Sequence, residues 1–270
     1  MSQFINSFQT QLTTIILAAD REAVNEVAMA AGVRCKALAP VNGIPMVLRV
    51  LEALNASRCV GERILCGPSG VVMAQEEELR DHLHAASVQW FENQATPSAS
   101  AYHIMQKIPE DTPVLVTTSD HALLHPEIVD YFCTQALNSG CDVVAAVARH
   151  EAVTAFCPET HRTAYRFKDG AYCSCNLFAF LTPRARAAAL FWRQVENQRK
   201  SPLRIIRAFG VISLIRYLLG QVTLNAAMER VSQRLGFKAG SVILPFPEAA
   251  IDVDSVRDWH VARRLAGEKI

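Results

Sequence analysis

The chain has no CxxC pair among its eight cysteines, no apolar run of membrane-spanning length and almost no net charge. Each absence removes a class of function. Cys35, Cys59, Cys66, Cys133, Cys141, Cys157, Cys173 and Cys175 follow no secreted-scaffold spacing, so a reducing cytoplasm is the expected setting. Cys157, His161, Cys173 and Cys175 offer a Cys3His zinc set in principle, but without the usual knuckle. The most apolar late stretch, Phe209 to Leu219, is short and carries Arg216, and Met1 to Gln11 lacks the basic and apolar regions of a leader. A formal charge of +1 on 270 residues gives no global pull toward nucleic acid, and aromatics are too sparse along the basic helices for single-strand binding. His103, His121, His125, His150, His161 and His260 show neither HExxH spacing nor a triad with serine or cysteine, which leaves hydrolase chemistry without support. There is no internal repeat or low-complexity tract.

What is present is a 50% hydrophobic chain in which apolar runs alternate with helical periodicity. Strands are expected at Thr13–Ala18, Arg63–Cys66, Val88–Phe91, 113–120 and Asp142–Val147. Helices are expected around Val47–Leu54, Ala74–Ala85, from Ser98 as N-cap to Lys107, and Pro126–Leu137. A long irregular segment precedes Leu38. Asp169-Gly170 predicts a hairpin between Thr163–Phe167 and Tyr172–Phe180. A last strand, Ser241–Leu244, precedes a helix from Ser255. This order predicts an α/β fold with a three-layer, doubly wound, mostly parallel sheet that becomes mixed at the hairpin. The economical organisation is a single unit over 1–270 with a basic helical insertion at 183–238.

That insertion carries Arg184, Arg186, Arg193, Arg199, Lys200, Arg204, Arg207, Arg216, Arg230, Arg234 and Lys238 against Glu196 and Glu229. Such a stretch is either a solvated helical face or a surface for phosphates or an anionic membrane, where each basic residue adds roughly 1 kcal/mol.

The run Pro113-Val114-Leu115-Val116-Thr117-Thr118-Ser119-Asp120 delivers one acid to the carboxyl edge of the sheet, where open α/β sheets bind ligands. Asp120 there either caps the next helix or holds a divalent cation against phosphate. Lys36, released after the first strand, and Asp252 and Asp254, before the last helix, would meet it at the same edge. A lysine with two acids is the minimum equipment for a metal-chelated triphosphate.

Lys36-Ala37-Leu38-Ala39-Pro40-Val41-Asn42-Gly43-Ile44-Pro45-Met46 resembles the K-x-L-x-P-v-x-G-x-P-M signature of the MobA-like nucleotidyltransferases, which have a GT-A-type fold. Thr117 to Leu124 is similar to that family's metal-binding strand end, and Asp252-Val253-Asp254-Ser255 to its closing D-x-D-T turn. The likeness runs from Thr13 to about Val147 and resumes at Asn176–Phe180 and Ala250–Leu265. It implies a Mg²⁺-dependent transfer of a nucleoside monophosphate from an NTP to a small phosphorylated acceptor, with release of pyrophosphate. It further implies Lys36, Asp120 and Asp254 as catalytic residues, and Asp120 and Asp254, with Asp252 as fallback, as metal ligands. Nucleotide contacts would come from Leu17, Ala18, Ala19, Asp20, Arg21, Lys36, Pro97 and Ser98, and an acceptor contact from Asn176. Independently of the resemblance, Arg162, Arg166 and Lys168 on the expected hairpin are either its solvated face or a grip for the acceptor's phosphate, with Arg166 the candidate acceptor contact. The first loop departs from the family's glycine-rich cradle, having no glycine before Gly32. A nucleotide-sugar-dependent glycosyltransferase of the same fold, or a non-catalytic nucleotide-binding relative, therefore stays open.

Overall fold

A computed structural model describes residues 10–20, 24–196, 216–217 and 219–268. Arg21, Arg199, Lys200, Arg204 and Arg207 lie outside the described residues.

The apolar runs form strands β1 (Leu12–Leu17), β2 (Pro40–Val41), β3 (Ile44–Pro45), β4 (Val60–Cys66), β5 (Gln89–Phe91), β6 (Val114–Thr118), β7 (Val143–Arg149), β8 (Tyr165–Phe167), β9 (Gly170–Phe180) and β10 (Ala239–Leu244). All but β2 and β3 join one sheet in the order β10-β7-β9-β6-β1-β4-β5, with β8 paired to β9. β1 is parallel to both β4 and β6, and β9 runs antiparallel between β6 and β7. Every residue of β1 is buried, as expected for a central parallel strand covered on both faces.

Helices cover both faces. On one side α2 (Met46–Ala56), α3 (Gly70–Gln75), α4 (Glu77–Ala85) and α6 (Pro126–Leu137) bury apolar residues against the sheet. On the other, α5 (Pro97–Met105), α8 (Ala185–Glu196) and α9 (Leu224–Leu235) pack against Ile15, Ile64 and Val116. Two shorter helices, α1 (Glu26–Ala31) and α7 (His150–Phe156), and a closing helix, α10 (Val256–Leu265), complete the described elements. The three-layer, mixed, mostly parallel architecture thus agrees with expectation.

Three local expectations are corrected. The segment before Leu38 is not wholly irregular. Asn25 caps α1 by accepting the N–H groups of Val27 and Ala28, and a 3-10 turn spans Lys36–Leu38. The cap of α5 is Thr96, whose hydroxyl accepts the N–H of Ala99; Ser98 lies inside the first turn and is fully buried. The glutamate-rich helix is two, broken at Glu76, which Arg34 draws into an ion pair of 2.6 Å.

Among the described residues no helix is long and apolar enough to cross a membrane. Within the 183–238 stretch, Arg186 donates to the carbonyl of Pro109, and Arg193 stacks 4.7 Å from the Tyr102 ring.

Candidate active site

The carboxyl ends of β1 and β6 lie side by side, with Leu17 paired to Thr118. The chain leaves β6 through Ser119, whose N–H donates to the Leu17 carbonyl, so Asp120 emerges beside the end of β1. The Asp120 carbonyl accepts the N–H of Val253, which docks the turn carrying Asp252 and Asp254 onto the same edge. Asn176 comes from β9, beyond Phe178, the partner of Val116, and so toward the carboxyl end of β6. Its φ of +48° is a left-handed conformation that asparagine tolerates better than most residues.

Lys36 reaches this edge from the 3-10 turn. The signature that follows it is mainly architectural. Asn42 and Gly43, both at positive φ, make the tight turn between β2 and β3, as an Asn-Gly pair is suited to do. Trp259 Nε1 donates to the Pro40 carbonyl at 2.8 Å, and Arg49 Nε to the Ala122 carbonyl at 2.8 Å. Arg49, on α2, also donates through Nη1 to the Val41 carbonyl at 3.3 Å, so the hairpin is tied to α10 directly and to the loop after β6 through Arg49.

Lys36 Nζ donates to Asp120 Oδ2 at 2.6 Å and to the Val253 carbonyl at 2.9 Å, and stands 3.7 Å from Asp254 Oδ1. Burial opposes its charge, but the surrounding acids, Asp120 foremost, hold its pKa above the ordinary lysine value. For Asp120 burial again opposes ionisation, and the Lys36 charge and hydrogen bond outweigh it, so the carboxyl sits below its usual range. Its second oxygen, Oδ1, is buried and has no hydrogen-bond partner among the described residues. Such an oxygen keeps its capacity to accept.

One oxygen from each of Asp120, Asp252 and Asp254 lies within 4.8 Å of the others, which among the described residues is the cluster with metal-ligand spacing. The two closing acids differ sharply. Asp254 is 68% exposed. Asp252 is inward and fully engaged: Arg162 donates through Nη1 to Oδ1 and through Nη2 to its backbone carbonyl, while Asn176 Nδ2 donates to Oδ2 at 2.6 Å. Burial and the neighbouring Asp120 charge push the Asp252 carboxyl up to about 6 in spite of Arg162. His121 is fully buried, and burial pushes it down to about 4, so it stays neutral at physiological pH.

The first loop resolves differently from a glycine cradle. Asp20 turns onto the Lys36 backbone, its carboxylate accepting that N–H at 3.1–3.2 Å. A glycine packs against this loop from the neighbouring strand end. Gly67, at φ +87°, lies so close to the Ala18–Ala19 peptide that a Cβ would sit 3.0 Å from its atoms. Leu17 and Ala18 are buried beneath it. Pro97 opens the first turn of α5, while Arg166 is exposed on β8. Cys157, His161, Cys173 and Cys175 do not form a ligand cluster, and all eight cysteines are free.

Lys36, Asp120, Asp252 and Asp254 are therefore brought together as anticipated, and Asn176, expected only as an acceptor contact, joins them through Asp252. Arg162, which with Arg166 and Lys168 was a candidate for the acceptor's phosphate, binds Asp252 instead. Gly67 had no signal in the sequence, because its close approach depends on a strand pairing.

The layered, mostly parallel sheet with these residues at its carboxyl edge has a nucleotidyltransferase-like, GT-A-type fold. The chain belongs to the MobA-like NTP transferase domain family, whose model matches residues 14–235. A structure described as a hypothetical transferase from Thermus thermophilus is 28% identical, with TM-score 0.74 over 92% of this chain and 99% of that one. Two more distant structures share the fold. A CMP:2-keto-3-deoxy-manno-octonic acid synthetase complexed with CTP is 13% identical, with TM-score 0.56 over 95% of this chain and 98% of that one. The 4-diphosphocytidyl-2C-methyl-D-erythritol synthase from Anaerococcus prevotii is 12% identical, with TM-score 0.57 over 96% and 97%. No curated protein sequence matches the chain.

Proposed function

We propose that the chain is a Mg²⁺-dependent nucleotidyltransferase that moves a nucleoside monophosphate from an NTP to a small phosphorylated acceptor. The observation that carries this reading is Lys36 held between Asp120 and Asp254 beside the unpartnered Asp120 Oδ1. Asp120 and Asp254 are the residues to hold Mg²⁺, a hard cation that takes carboxylate oxygens and usually keeps phosphates and waters as its other ligands. When bound, the ion neutralises charge on the triphosphate. Lys36 supplies a fixed positive charge at the same place, already paid for by burial among acids, so little reorganisation is needed as charge shifts onto the leaving group.

The reaction forms one P–O bond from an acceptor phosphate oxygen to the α-phosphorus. It breaks the bond between the α-phosphorus and the oxygen bridging to the β-phosphorus, and pyrophosphate departs with that electron pair on the oxygen. Positioning and charge stabilisation carry the catalysis. We assign the buried end of β1, Leu17 and Ala18, with Ala19, Asp20, Pro97 and Ser98, to the nucleotide side. Asn176 and, from β8, Arg166 go to the acceptor side. The free cysteines support a reducing, cytoplasmic setting. The basic residues Arg199, Lys200, Arg204 and Arg207 are assigned a peripheral contact with an anionic surface; liposome sedimentation unchanged after reversing their charges would count against it.

Pyrophosphate release tests the reading, using four NTPs, CTP first, with a panel of phosphorylated sugars and alcohols. One NTP–acceptor pair should release pyrophosphate in proportion to product, and Lys36→Met should lower the rate about 10²- to 10³-fold, the usual cost of losing one charge-stabilising group. Sugar transfer from a nucleotide sugar without pyrophosphate would establish the glycosyltransferase instead.

A further inference from the structure

We propose that Arg162 is a positioning residue that acts as a resident cation: it withholds Asp252 from the metal, so that a divalent ion is held by Asp120 and Asp254. The proposal rests on the metal reading above and goes beyond it in dividing the three acids into two roles.

Arg162 lies between α7 and β8, and its side chain is only 10% exposed. Its guanidinium grips Asp252 twice, by the carboxylate and by the main-chain carbonyl, a two-point attachment that fixes the turn as well as the side chain. Asn176 takes the remaining Asp252 oxygen. Both carboxylate oxygens are thus in use before any ion arrives.

The alternative partners of Arg162 are unsuited to replace Asp252. Asp254 Oδ2 stands 4.0 Å from Nη1, and Asp258 Oδ1 stands 3.8 Å from Nη2. Asp258 is committed elsewhere, since its Oδ2 accepts both the N–H and the hydroxyl of Ser255 in the capping box of α10. Arg162 Nε is already buried without a partner. Moving Asp252 to a metal would leave a buried guanidinium unpaired, and breaking a buried pair by removing one partner is among the costlier single changes in a protein. Asp120 Oδ1 and the exposed Asp254 carry no such commitment. Arg162 also places a positive charge next to the cluster, which lowers its affinity for a free cation and leaves full occupancy to the moment when triphosphate brings its own negative charge.

The test is titration of the full chain with Mn²⁺ alone, without nucleotide, followed by electron paramagnetic resonance. Arg162→Gln releases Asp252 and should tighten Mn²⁺ binding about tenfold, whereas Arg162→Lys, which keeps the charge, should stay within about threefold of wild type. A purely structural arginine would not give a gain of affinity rescued by charge. Equal or weaker binding by folded Arg162→Gln overturns the proposal. Should that variant fail to fold, anomalous scattering from wild-type crystals soaked in Mn²⁺ decides. An ion on Asp120 and Asp254 with Asp252 still on Arg162 supports it, and an ion ligated by Asp252, or none at that place, overturns it. The two readings fail separately. Tighter Mn²⁺ binding in a protein that releases no pyrophosphate would remove the transferase assignment and leave the clamp. Pyrophosphate release with Mn²⁺ affinity unchanged in Arg162→Gln would do the reverse.

Discussion

Lys36 makes the closeness of Asp120 and Asp254 tolerable, because without its charge two carboxylates would face each other across a partly dry cleft. Its loss should therefore be felt in stability as well as in turnover. Asp142 carries a second, purely structural charge effect. Burial opposes its ionisation, yet the Thr182 hydroxyl at 2.5 Å and the Lys238 N–H at 2.7 Å hold its carboxyl below the ordinary value of 3.8. A carboxyl whose pKa is depressed by folding stabilises fully above its unfolded value and loses that contribution as pH falls through the folded one. Denaturant unfolding between neutral pH and pH 3 should show this acid-side loss, and Asp142→Asn should flatten it while costing about 1–3 kcal/mol at pH 7, as for other charged hydrogen bonds. At this scale the sequence placed Lys36, Asp120, Asp252 and Asp254 at one sheet edge and, on the resemblance, favoured Asp254 over Asp252. The contacts of Asp252 with Asn176 and Arg162 carried no signal, since both partners come from distant parts of the chain.

The elements around the site are set by caps and close approaches more than by propensity. Ser255 accepts the N–H of Asp258 and donates to its carboxylate, so Ser255→Ala should lower stability by about 1 kcal/mol, measured as a shift in the denaturant midpoint. Gly67→Ala should do more. The new methyl group meets the Ala18–Ala19 backbone at 3.0 Å in a conformation that disfavours alanine, so the first loop must move. We expect a loss of about 1–3 kcal/mol and weaker nucleotide binding by calorimetry. Strands and the larger helices were legible because their apolar periodicity is plain. The break at Glu76 was not, because residues 75–78, Gln-Glu-Glu-Glu, are all good helix formers. The cap of α5 was misplaced by two positions for a similar reason: Thr96 and Ser98 have equal capping chemistry, and only the burial of Ser98 tells them apart.

For the whole molecule, the alternation of strands and helices was sufficient to anticipate the layered sheet, and the hairpin dipeptide Asp169-Gly170 located the change to antiparallel pairing. The glycine-poor first loop suggested a decayed phosphate grip. In the folded chain Gly67 packs closely against that loop and Asp20 is spent on the Lys36 N–H, two contacts that the sequence around the loop did not show. What unites these scales is a single claim, that Lys36, Asp120 and Asp254 form a metal-dependent nucleotide site. The most direct measurement is thermal unfolding of the wild type and of Asp120→Asn with each of four NTPs, with and without Mg²⁺. One nucleotide should stabilise the wild type only when Mg²⁺ is present, by about 2.7 kcal/mol at 100 times its dissociation constant, and Asp120→Asn should abolish that gain. Stabilisation by no NTP, or an equal stabilisation of Asp120→Asn, would contradict the account.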